Sequence, residues 1–269
     1  MGDAARVSPA AETEAMKRAV PTIEILGVPV VRLEVDECLA EVERLYRGEA
    51  GALVTYVNAH SLNLASRDAE YGRILRERFT AFKDGAGVGV GARILGERFP
   101  PNITFTDFCP RIMRLAAKHG WRVFFLGCGP GVTQRAAERL TAEIPGLNVV
   151  GTLDGFTLWK EMEPSIAAIR DARTDMLVVG MGNPLQEKWL AEHLAETGAR
   201  LGMAVGGYFD FAASVRLRAP MWMTRLGIEW IFRMAQEPGR LWRRYVIGNP
   251  EFLARVAIER IRRRRKPAN

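Results

Sequence analysis

Short apolar runs alternate along this chain with longer segments whose apolar positions recur at helical spacing. Runs rich in Val, Leu, Ile and Phe predict strands near Ala52–Val57, Phe79–Phe82, Trp121–Leu126, Leu147–Val150, Asp175–Val179 and Arg200–Val205. An earlier strand or hairpin is expected around Ile23–Val31, where Gly27 and Pro29 mark a bend. Helices are predicted between them at Asp36–Arg47, Ala59–Arg78, Val88–Gly96, Thr106–His119, Val132–Ile144, Lys160–Arg173 and Pro184–Thr197, with Gly120 and Gly198 as stop signals. Apolar strands alternating with helices are the pattern of a parallel sheet covered on both faces. The predicted class is α/β, a Rossmann-like parallel sheet with helices on both faces, plus a C-terminal basic amphipathic helical appendage.

Composition changes near Ala213. Ser214–Asn269 holds 14 Arg or Lys against Glu229, Glu237, Glu251 and Glu259, a net +10, whereas the whole chain is +7, so residues 1–213 sum to −3. Trp222, Trp230 and Trp242 lie in the same segment, interleaved with Met221, Met223, Leu226, Ile231, Phe232 and Met234. Cationic side chains mixed with amphipathic aromatics suit an anionic membrane surface. A nucleic-acid arm has no need of so many aliphatic partners, so no specific nucleic-acid partner is expected. No apolar run approaches the ~18 residues of a spanning helix, so membrane contact is expected to be peripheral. The predicted organisation is a flexible N-terminal extension over residues 1–20, a core over 21–213, and a 214–269 appendage that associates with the membrane and completes the active site. Residues 1–20 lack a basic n-region and a continuous apolar h-region, which predicts no signal peptide and a place on the cytoplasmic face. Cys38, Cys109 and Cys128 share no metal-type or disulfide-type spacing and are expected as buried small hydrophobes.

In such a sheet, chemistry is expected where strands end and turn into helices. Four such points stand out. Asn58 follows the Ala52–Val57 run, and Asp84 follows the Phe79–Phe82 run ahead of Gly85, Gly87 and Gly89. An Asp before a helix is also what an N-cap looks like. Gly127-Cys128-Gly129-Pro130-Gly131 is a glycine turn between strand and helix that could present backbone N–H groups to a phosphate. It is a degenerate dinucleotide fingerprint, because Val149-Val150-Gly151 stands where an acidic residue would end the next strand. The fourth is Gly182-Asn183-Pro184-Leu185-Gln186, of which helix initiation explains Asn183 and Pro184 but not Gln186.

Taken together, these pieces resemble the WecG/TagA/CpsF glycosyltransferase family from Ile23 to Leu253. The matching stretches are Asp84-Gly85-Ala86-Gly87, Phe125-Leu126-Gly127 with Pro130-Gly131-Val132, and Gly182-Asn183-Pro184-Leu185-Gln186-Glu187-Lys188-Trp189. Further on come Gly206-Gly207-Tyr208-Phe209-Asp210, Arg218-Ala219-Pro220, Glu229-Trp230-Ile231-Phe232-Arg233, Glu237-Pro238 and Arg243-Arg244-Tyr245. Their shared order and spacing make the combination specific.

The resemblance implies an inverting, metal-independent transfer from a UDP-sugar to a polyprenyl-diphosphate-linked saccharide in cell-surface polysaccharide synthesis. UDP-sugar is then a substrate and no cofactor is expected. Consistent with that, the chain has no Asp-x-Asp motif to hold a divalent ion. By match to the family pattern, Asp84 is the expected general base, and Arg233, Arg240 and Arg243 are the expected diphosphate contacts, with Arg260 and Arg262–Lys266 at lipid headgroups. Gly127, Gly129, Gly131, Gly182 and Asn183 would line the nucleotide side, while Tyr56, Asn58, Asn102 and Gln186 would face sugar. Tyr56 stands where the family commonly has Thr, with Thr55 facing the other side of the strand, and Asn102 stands where many members have Arg. Those departures leave the donor open between N-acetylmannosamine and a neutral hexose such as glucose. A membrane-tethered, nucleotide-sensing binding module and a nicotinamide-dependent reductase remain open as alternatives. The sequence also leaves a homo-oligomer open.

Overall fold

The computed structural model describes residues 20–48, 50–100 and 104–265. The expected N-terminal extension therefore lies, but for Val20, outside the described residues. Eight strands form one sheet in the order β1-β2-β4-β3-β8-β7-β5-β6, with β1 Thr22–Ile25, β2 Val28–Val31, β3 Ala52–Val57, β4 Phe79–Lys83, β5 Arg122–Gly127, β6 Asn148–Leu153, β7 Met176–Gly180 and β8 Leu201–Ala204. Among the described residues only the β1–β2 hairpin is antiparallel; the remaining pairings are parallel. Strands β7 and β8 are buried at every position, which is why their sequences read as unbroken apolar runs. Edge strand β6 is only half-buried. Its apolar run therefore ends early, and the strand extends past the expected Val150 to Leu153.

Helices cover both faces. One layer holds α2 Ala59–Arg67, α3 Ala69–Arg78, α4 Ala86–Leu95 and α9 Leu185–Thr197; the other holds α1 Val35–Arg47, α5 Phe105–His119, α6 Val132–Glu143 and the short α10 Tyr208–Ala212. The expected Ala59–Arg78 helix is broken at Asp68, whose carboxylate accepts from Tyr71 N at 3.0 Å and caps α3. The expected Lys160–Arg173 helix is likewise two, α7 Gly155–Lys160 and α8 Met162–Asp171, because Asp154 caps an earlier start.

The segment after Ala213 is helical through most of its described length. After α11 Met221–Arg225, α12 Glu229–Gln236 and α13 Pro238–Trp242, a π-helical turn at Arg243–Ile247 leads into α14 Gly248–Arg265. Phe252 and Val256 of α14 are fully buried in the same core as α2 and α4. The helix can come this close because Gly91 has no side chain; a Cβ there would lie 2.8 Å from the Phe252 ring. Asn63 Nδ2 donates to Gly248 O at 2.7 Å, and Arg67 pairs with Glu251. Arg260, expected at lipid headgroups, donates to Leu95 O at the end of α4, and Arg263 donates to Glu24 O at 2.8 Å. Arg262, Arg264 and Arg265 are exposed, and Lys266 lies outside the described residues. The last helix thus belongs to the core, despite its charge.

Candidate active site

Parallel strands end on one edge of the sheet, and loops leaving β3, β4, β5, β7 and β8 surround a cleft of about 560 Å³ there. Its lining includes Tyr56, Asn58, Asp84, Cys128, Gly129, Gly182, Asn183, Arg233 and Arg244. A second compartment of about 360 Å³ adjoins it, lined by the α4 start, Thr224, Glu229, Trp230, Tyr245 and the first turns of α14. Asn58, His60, Asp84, Thr106, Arg233 and Arg244 line both.

Asp84 is not an N-cap. Gly85 occupies that place ahead of α4, with no side-chain capping bond. Asp84 Oδ1 instead accepts from Phe105 N at 3.0 Å, and Oδ2 accepts from Asn58 Nδ2 at 3.5 Å. Asn58 is the cap of α2, its Oδ1 accepting from His60 N and Ser61 N at 3.1 Å each, which leaves the amide nitrogen aimed at Asp84. One neighbour along β4, the Lys83 ammonium is lowered to about 8 by burial, against the pull of Asp84.

Tyr56 lies in the opposite layer from Thr55, as strand alternation requires. Its ring packs 4.9 Å from Phe105 and its hydroxyl fills the space over Gly206, where a Cβ would lie 2.1 Å away. Burial pushes this phenol above its ordinary range.

Gln186 is fully buried and does not line the cleft. Its Oε1 accepts from Gly182 N at 3.2 Å and Gly206 N at 2.9 Å, clamping the loops after β7 and β8. Its Nε2 donates to Glu187 Oε1 at 2.9 Å, which also accepts from Thr55 Oγ1 at 2.9 Å and Asn183 Nδ2 at 2.5 Å. Burial raises the Glu187 carboxyl, and its three donors oppose that rise. Gln186, expected to face sugar, is thus bonded to these two loops and to Glu187.

The glycine turn after β5 divides in the same way. Gly129 faces the cleft, whereas Gly127 and Gly131 are not in its lining. Gly127 adopts φ +122°, and a Cβ there would lie 2.4 Å from Gly180 O, so the missing side chain serves the approach of β5 to β7. Gly131 caps α6 in a left-handed conformation. Cys109 is buried as expected; Cys38 and Cys128 are only partly so, and Cys128 lines the cleft.

Of the three arginines expected at the diphosphate, Arg233 lines both compartments, with its guanidinium 5.4 Å from the Phe211 ring centroid. Burial, the largest influence on Arg233, lowers it, yet Tyr245, Asp84, Tyr56 and Glu229 together hold it above its ordinary value. Arg243 is exposed, 6.0 Å from the Trp242 ring, and Arg244 stands in the wall instead. Arg244 Nε is buried and has no hydrogen-bond partner among the described residues. The backbone of Arg240 belongs to α13, and its side chain lies outside the described residues, as does all of Asn102. The first part of the tail is held over the cleft by Arg216, which pairs with Asp210 at 3.2 Å and Glu237 at 2.7 Å, and by an Arg218–Asp107 pair. Phe156, Trp159, Asp210, Arg216 and Arg244 also line the cleft, none of them expected as site residues from the sequence. Among the described residues no group of three or more His, Cys, Asp or Glu side chains is placed to hold a metal ion, and no helix is long and apolar enough to cross a membrane.

The profile of the glycosyl transferase WecG/TagA/CpsF family matches residues 23–266. An N-acetylglucosaminyldiphosphoundecaprenol N-acetyl-beta-D-mannosaminyltransferase of Bacillus subtilis strain 168 is 28% identical over 240 residues, covering 88% of this chain and 92% of the relative. A protein of the same name from Bacillus spizizenii strain W23 is 28% identical over 208 residues, covering 77% and 79%.

Proposed function

Because the chain belongs to the WecG/TagA/CpsF glycosyltransferase family, we propose that it moves a sugar from a UDP-sugar to a polyprenyl-diphosphate-linked saccharide, with inversion and without a metal ion. The observation that carries this reading is that Asp84, Arg233 and Arg244 form the wall common to both compartments. Donor in the larger compartment and acceptor in the smaller would meet at that wall.

The acceptor hydroxyl gives its proton to an Asp84 carboxylate oxygen while its oxygen forms the new bond to the anomeric carbon. The bond from that carbon to the diphosphate oxygen breaks on the opposite face, and UDP departs with the electron pair. Arg233 and the unpartnered Nε of Arg244 offer charge-assisted donors to the leaving oxygens, the task a metal ion performs in other sites. Asn58 and Phe105 N hold the carboxylate in place.

Trp222, Leu226, Ile231, Trp242, Val246 and Ile247 of the tail are exposed. With exposed Arg262, Arg264 and Arg265 they suit an anionic membrane at the cytoplasmic face, where a polyprenyl-linked acceptor would reside. The substrates named for the two Bacillus relatives fit this assignment.

The test is a turnover assay with a panel of UDP-sugars, including UDP-glucose and UDP-N-acetylmannosamine, on polyprenyl-diphosphate mono- and disaccharides in excess chelator. One donor should be used with release of UDP and a new linkage of inverted configuration. A requirement for added magnesium or manganese, or retention of configuration, overturns the corresponding part of the mechanism.

A further inference from the structure

Glu229 is a half-buried carboxylate that makes no ion pair or hydrogen bond among the described residues. Burial first, and then the negative charge of Asp84, raise it above its ordinary value. An acidic residue in the first turn of a helix has an ordinary use at the positive end of the helix dipole, but an exposed carboxylate serves that use equally well. It does not account for the burial, because taking a carboxylate out of water with no donor beside it is costly. A ligand that brings the donor would remove that cost.

The surroundings of Glu229 indicate which ligand. Glu229 lines the smaller compartment and not the larger one, as do Trp230 and Tyr245, whose ring centroids lie 5.8 Å apart. Thr224 and Asn249 add neutral hydrogen-bonding side chains to the same lining. Together with Asp84, a carboxylate here repels a diphosphate, which brings acceptors and negative charge, and favours an uncharged group rich in donors. Sugar hydroxyls are such donors, and two adjacent ones can reach both oxygens of one carboxylate. An indole supplies a flat apolar surface for the C–H face of a pyranose. On α12, Glu229 stands one turn before Arg233, which lines both compartments, so one short helix carries both groups. We propose that Glu229, with Trp230 beside it, is a specificity-determining residue that binds the sugar of the acceptor. Its carboxylate accepts from ring hydroxyls while the indole covers the C–H face. This rests on the acceptor being a saccharide, as in the proposed function.

The experiment measures transfer by the full chain from the UDP-sugar that the donor panel selects. The acceptor is the short-chain prenyl-diphosphate saccharide that supports turnover, together with its single-deoxy analogues. In the wild type, deleting one hydroxyl other than the attacking one should lower kcat/KM roughly ten-fold, whereas in Glu229→Ala the same deletion should cost nothing further. Glu229→Ala should also raise KM for the intact acceptor roughly ten-fold and leave KM for the donor unchanged. Trp230→Phe should keep more acceptor affinity than Trp230→Ala. Glu229→Gln, which preserves the side-chain volume, carries the same test should the alanine variant unfold; with only a neutral acceptor left, the deletion should cost about three-fold. Equal deletion losses in the wild type and the Glu229 variants overturn the proposal, as does an equal rise in both KM values. Weaker inhibition of Glu229→Ala by a sugar-free prenyl diphosphate would place the carboxylate beside the diphosphate and overturn it too. A wild type that transfers from no UDP-sugar to any prenyl-diphosphate saccharide overturns the proposed function together with this inference, and is thereby distinguished from failure of the sugar contact alone.

Discussion

Asn58 Nδ2 points at Asp84 Oδ2 from 3.5 Å, across the ends of two adjacent strands. Asn58 can do this because capping α2 uses only its carbonyl oxygen. The same residue therefore starts a helix and orients the carboxylate that faces both compartments.

Asp84→Asn should lower transfer by about 10²–10⁴-fold with little change in UDP affinity or melting temperature, since the amide keeps an acceptor for Phe105 N but cannot take a proton. Single-turnover rates at saturating substrates decide this. A variant retaining more than about a tenth of the wild-type rate would assign Asp84 a positioning role.

Arg244→Ala should cost at least about ten-fold in transfer, whereas Arg243→Ala should change it little, because only Arg244 lines the wall. Melting temperatures of both variants serve as the control. Equal losses would show that the turn presents both guanidinium groups.

Gln186→Ala leaves the N–H groups of Gly182 and Gly206 without their acceptor. The expected cost is about 1–3 kcal/mol of stability. Because both glycines border the donor compartment, KM for the donor should rise more than kcat falls. A variant of normal stability and raised KM would mean that the amide touches substrate after all.

Asp175 contributes a pH dependence to stability. Its carboxylate accepts from Arg122 Nε at 2.9 Å, Arg122 Nη2 at 2.8 Å and Arg122 N at 2.8 Å, and the guanidinium bonds hold it below the usual carboxylate range. A depressed folded-state value means stability that is present at neutral pH and is lost as pH falls from about 4 through the folded-state value. Thermal unfolding at successive pH values below about 5 should therefore show an acid-sensitive component that Asp175→Asn removes. An identical acid slope in the variant would assign the sensitivity to other carboxylates.

The strand and helix pattern was legible because central strands buried on both faces cannot hide their apolar runs; the end of such a run marked where Asp84 lies, while its expected role as a base came from the family resemblance. The bonding of Gln186 was not legible, since its partners are backbone groups of two loops that meet only in the fold. The place of Arg244 in the cleft wall was not legible either, because position along the chain does not disclose the π-helical turn, which shifts the phase of a helix face. The buried face of α14 was hidden by its charge: it commits only Phe252 and Val256 to the interior, and Gly91 on another helix supplies the room.

That last helix also closes a border of the sheet. Glu259 Oε2 accepts from Leu26 N at 3.0 Å and Arg263 donates to Glu24 O at 2.8 Å, so the tail occupies main-chain groups of the outermost hairpin. An outer strand with such groups free is a template for pairing with another chain. Shortening the protein before α14 would thus do more than remove positive charge. It would uncover a sticky edge and an apolar trough around Gly91 together, and the shortened protein is expected to be lost to aggregation.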